Sequence, residues 1–82
     1  MTTLEVRNLR QDLLTAQLVD EFAGSLLPDS SVTGDGWHVR FERAEPARVG
    51  SLAVPVLILS IEGPREAEAV AFLRSRTFRG GG

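Results

Sequence analysis

The residues of this chain that could do chemistry are few, and the densest run of them is Asp29-Ser30-Ser31-Val32-Thr33-Gly34-Asp35. Oxygen-bearing side chains alternate along it and a glycine holds the sixth position, the pattern of a calcium-binding loop. The twelfth position of such a loop carries a glutamate that binds through both oxygens, and here it is Arg40. The run therefore reads as a polar turn in which Gly34-Asp35-Gly36 reverses the chain. His38 is the one side chain whose ordinary pKa lies near neutrality, which suits a general base or a metal ligand. It alternates with Trp37 and Val39 and shares its side with Arg40 and Glu42, so it reads as a water-facing strand residue. Trp37 and Phe41, at period two opposite those polar residues, read as core.

Other chemistries lack their residues. No serine stands in a G-x-S-x-G elbow, Gly34-x-Gly36 lacks a third glycine, and no lysine is present for a P-loop. The absence of cysteine removes disulfides, thiolate nucleophiles, zinc-thiolate sites and iron-sulfur ligation. No catalytic residue, cofactor or metal site is expected, and the chain reads as non-enzymatic.

Arg74, Arg76 and Arg79, with Phe78 between the last two, are a possible anion contact with a stacking ring. Arginines near a helix C-terminus also complement the helix dipole. Nine basic against eleven acidic residues leave a net charge of −2, which disfavours a general polyanion binder. All nine basic residues are arginine.

The ending "AVAFLRSRTFRGGG" resembles that of ubiquitin-like sulfur and modifier carriers, in which apolar residues and arginine lead into terminal glycines. The resemblance implies an activated C-terminus at Gly81 and Gly82, adenylated and then converted to a thiocarboxylate or an amide. It covers only the last few residues. That family has two strands before its main helix, whereas one strand precedes the first helix here.

The elements that would hold these residues follow from periodicity. Leu4 and Val6 alternate with Glu5 and Arg7, which predicts a strand over 3–9. Leu14, Leu18, Phe22 and Leu26 recur every four residues, which predicts an amphipathic helix over 12–27, capped by Asp12 or Thr15 and stopped by Pro28. Trp37 to Glu42 alternates as a second strand, and 45–51, with Pro46 and Gly50, reads as a loop. The run from Leu52 to Ile61 is apolar on both faces, as in a central strand, with Pro55 marking a bulge or the start of pairing. Pro64 to Arg74 reads as a second helix with proline at its first position.

The order βαββα predicts an α+β two-layer sandwich, a ferredoxin-like plait lacking its last strand, with sheet order 1-3-2 and both helices on one face. It occupies 1–79 as a single domain, followed by a flexible glycine tail at 80–82. The open edge of the first strand and the helix-free face, through Val54, Val56, Leu57, Ile58 and Leu59, form a possible dimer surface. The expected function is a small homodimeric module, a protein-interaction or regulatory and accessory subunit with a protein partner. The alternatives are the carrier and the anion or nucleic-acid binder. No targeting segment or membrane span is visible, so a soluble cytoplasmic protein is expected. Deleting Gly81 and Gly82 is expected to leave thermal unfolding unchanged, and an intact mass from the native host with oxygen exchanged for sulfur would mark the carrier.

Overall fold

Burial that alternates residue by residue makes the first strand. In the computed structural model, which describes residues 1–77, β1 (Thr2–Arg7) buries Leu4 and Val6 and exposes Thr3, Glu5 and Arg7. Asn8, at φ 60, turns the chain into α1 (Gln11–Glu21), and its N–H reaches the Pro55 carbonyl at 2.8 Å. β2 (Ser25–Leu26), β3 (Val32–Gly34), β4 (Trp37–Val49) and β5 (Leu52–Glu62) follow, then α2 (Glu66–Thr77).

The expected three-stranded 1-3-2 plait is overturned. The sheet has five strands, all paired antiparallel, in the order β1-β5-β4-β3-β2. Two segments read as non-strand account for the difference. The polar stretch after α1 contains β3, and the residues read as the end of the first helix form β2, which pairs Leu26 with Val32. The stretch 45–51, read as a loop, continues the hairpin instead: β4 pairs with β5 out to Val49 opposite Leu52. Pro46 is tolerated because the ladder slips one register between Ala44 and Ala47, a bulge in which no partner needs its missing N–H.

The first helix ends at Glu21, well short of Pro28, because Gly24 is needed elsewhere. Ala23 takes φ 60, and the N–H groups of Phe22 and Gly24 both return to the Leu18 carbonyl, at 3.2 and 2.9 Å. A Cβ at Gly24 would stand 2.7 Å from both the Trp37 ring and Val32. The N-cap is Arg10, with no side-chain cap from the expected Asp12 or Thr15. The second helix starts at Glu66, after Pro64 rather than on it.

Both helices contribute to one core. Leu14 and Leu18 of α1 and Ala69 and Leu73 of α2 cluster with Leu4 and Val6, Val32, Trp37 and Val39, and Leu57, Leu59 and Ile61. Trp37 lies across Gly34, its partner in the β3–β4 register, and a Cβ at Gly34 would clash with the indole ring. Phe22 packs on Trp37 at 5.1 Å between centroids, and Phe72 stacks on Phe22 at 4.7 Å, so aromatic rings connect the hairpin, α1 and α2.

Two glycine substitutions separate packing from backbone demands. Gly34→Ala is expected to cost about 1–3 kcal/mol by overpacking against Trp37. Gly50→Asn is expected to cost a few tenths of a kcal/mol or less, since that position has φ 62 with nothing near its missing Cβ, and asparagine tolerates this region. Urea unfolding measures both.

Candidate functional site

α1 presents a second face beside its core stripe. Asp12, Thr15, Ala16, Val19 and Asp20 recur at three- and four-residue steps and wall one side of a groove of about 780 Å³. The floor is β5, through Pro55, Val56 and Leu57. Leu9 and Arg10 close one end, Leu26 and Ser30 another, and Arg43 enters from β4. The volume is that of a site for a small ligand or a cluster of partner side chains. Its charges balance: Arg10 pairs with Asp12 at 2.6 Å, while Asp20 and Arg43 have no ion-pair partner among the described residues.

The larger feature is the hairpin arm. β1 leaves β5 at Arg7 opposite Val56, with the Asn8 N–H bond to the Pro55 carbonyl just beyond, and β3 leaves β4 at Val32 opposite Val39, so among the described residues the rest of the two long strands pairs only with each other. Gly50 at φ 62 and Ser51 close the tip, and Val49 and Leu52 beside it are 58% and 66% exposed. The bulge controls which side is apolar. Before it, the even-numbered residues of β4 face away from the helices: His38, Arg40, Glu42 and Ala44. After it, the odd-numbered ones do: Ala47 and Val49. They join Leu52, Val54, Val56 and Ile58 of β5, so the helix-free face is charged over the body and apolar along the arm.

The expected dimer residues divide accordingly. Leu57 and Leu59 lie under the helices as core, because neighbouring strand residues cannot share a face. Val54, Val56 and Ile58 are on the helix-free side, Val56 at 5% exposure and the others half-buried. Ala47, Val49 and Leu52 were missed. The signal was present, since Val49-Gly50-Ser51-Leu52 has the form of a two-residue hairpin loop between apolar residues, but Pro46 outweighed it.

The other candidates are engaged in structure. Arg76 pairs with Glu21 and lies over the Phe72 ring, 5.1 Å from its centroid, so it extends the aromatic ladder across the two helix ends. Arg74 is exposed and also has an interaction partner. Arg79, Gly81, Gly82 and the rest of the glycine tail lie outside the described residues. Asp29 and Asp35 of the calcium-like run serve different turns. Asp29 accepts the Ser31 hydroxyl at 2.5 Å and its N–H at 3.0 Å. Asp35 sits in the β3–β4 turn, which Arg65 clasps: its N–H reaches the Gly36 carbonyl at 2.7 Å and its guanidinium the Asp35 carbonyl at 3.1 Å. The same guanidinium pairs with Glu68 at 2.8 Å. Among the described residues no three metal-ligating side chains gather in one place. His38 is half-buried and its Nε2 finds no hydrogen-bond partner among the described residues.

No protein-family model matches this chain, and no curated protein matches it at significant similarity. Geometry and charge are therefore the basis for its function. Among the described residues, no helix is long and apolar enough to cross a membrane.

Three carboxylates have pKa values below their usual range. Glu66 is lowered by the Thr2 hydroxyl at 2.6 Å and then by the Met1 amine at 3.3 Å, Asp29 by the Ser31 hydroxyl and N–H, and Glu68 by Arg65. A depressed folded pKa contributes stability above the unfolded value and loses it as pH falls through the folded one. Stability is therefore expected to fall with acid below pH ~4. Glu66→Gln should lower stability at neutral pH and so flatten that fall, leaving the acid end nearly unchanged, as chemical denaturation at a series of pH values would show.

Proposed function

We propose that this chain works by association rather than by chemistry, as a non-enzymatic homodimeric α+β module that serves as a protein-interaction or accessory subunit in the cytoplasm. The arm carries this reading. A two-stranded ribbon is marginal in water by itself, and one that exposes Val49 and Leu52 at its tip places apolar surface where no element among the described residues covers it. Closed twofold dimers are the commonest way soluble chains cover such surface. Sedimentation equilibrium at micromolar concentration is expected to give twice the 8.9 kDa chain mass. The mass of a single chain throughout that range would overturn the reading.

A further inference from the structure

We propose that two copies join through the helix side of their arms, stacked face to face and antiparallel, with the tip of each arm seated in the groove beside α1 of the other. This rests on the homodimeric reading above and specifies its interface. Over the body that side of the sheet lies under the helices, but along the arm nothing among the described residues covers it. Arg43, Glu45 and Arg48 of β4 and Ala53 and Pro55 of β5 are all exposed. The groove is the step between the two regions, with α1 as its wall and Pro55, Val56 and Leu57 as its floor.

Strand register puts the arm's charges on this side. Arg48 stands opposite Ala53, on the other side of the ribbon from Ala47 and Val54, and Glu45 follows Ala44, so it alternates away from the helix-free side. The two have opposite signs and flank the Pro46–Ala47 peptide symmetrically. Neither has an ion-pair partner among the described residues. A twofold axis lying between the arms, perpendicular to the strands and level with that peptide, lays β4 on β4 and β5 on β5 with directions reversed. Glu45 of each copy then meets Arg48 of the other, and Ala53 lies over Pro55, each contact being made twice. A face complementary to itself in charge is what an isologous interface requires, and it identifies a second copy as the occupant.

The same operation fills the groove. It sets the turn at Gly50 and Ser51 over Arg43 of the other copy, at the foot of α1. A ribbon packed on a sheet lies about 10 Å above it. That is the layer α1 already occupies, so the tip meets the helix wall end-on, at Ala16 and Val19. Glycine and serine at the turn suit this close approach, as does an exposed alanine on the wall. The competing mode, strand added to strand along the open edge of β4, is obstructed by the bulge and by Pro46, which has no N–H to offer.

Sedimentation equilibrium on variants of the full chain tests the interface. Glu45→Arg and Arg48→Glu should each weaken dimerisation about tenfold, because each reversal sets two like-charge pairs in place of two ion pairs. The double swap should restore it. Ala53→Asp is expected to give a monomer with unchanged helical circular dichroism, since Ala53 is exposed and makes no core contact. Ala16→Arg, on the exposed wall of the groove, should likewise shift the mass toward a single chain, although α1 and the arm tip are apart within one copy. A dimer that tolerates Ala53→Asp and Ala16→Arg, or a double swap that recovers nothing the single reversals lose, overturns this interface while leaving the homodimeric reading intact. A parent chain that is monomeric at micromolar concentration overturns both.

Discussion

The contact on which the rest of the structure depends is the indole of Trp37 laid across the backbone of two glycines. Gly34 stands opposite Trp37 in the β3–β4 register, and Gly24 approaches the far edge of the ring from the end of α1. With hydrogen in place of both side chains, the ring reaches a depth at which it meets Phe22, and through Phe22 it meets Phe72. Three elements distant in sequence are thereby fixed to one another: a short hairpin, the end of the first helix and the outer turn of the second. The early end of α1 is a consequence. The chain must present glycine at 24 to the ring, so the helix stops short of it, and the residues that follow are released to form β2.

The second helix is tied into this arrangement at both ends. Arg65, just ahead of α2, holds the β3–β4 turn through the Gly36 and Asp35 carbonyls, and Gly63 approaches the same turn so closely that a Cβ there would meet the Gly36 oxygen at 2.5 Å. Near its other end, Arg76 stacks on Phe72 and pairs with Glu21 of α1. Arginine suits both positions because a planar guanidinium can stack and donate several hydrogen bonds together. Side chains that could have served anions in a looser fold are used here to hold helices in place.

Much of the body was legible in the sequence. Leu4 and Val6, Leu14 and Leu18, and Trp37 and Val39 all announced buried positions by period alone, whereas the burial of Ala69 on the second helix was not read from the sequence. What was not legible was long-range. The stop of α1 depends on a tryptophan thirteen positions beyond Gly24, and no local propensity records that. The arm was hidden by proline, because a rule about central strands was applied to a place where the strand has an open side and a bulge. The split of Val54 to Leu59 across two faces needed only the alternation of a strand, yet which half faced the helices became clear from the pairing of Leu57 with Val6 and Leu59 with Leu4.

The register slip at Ala44/Ala47 gives β4 one residue more than β5 over the same length of ladder, so the arm can absorb a change of chain length without changing its faces. Losing that extra residue would regularise the ladder and leave Ala47 opposite Val54 and Val49 opposite Leu52, on the side they occupy now. The core lies before the slip and would be unaffected. A one-codon change at the slip would thus alter the twist of the arm and its proline-bearing edge, independently of the packing that keeps the body folded.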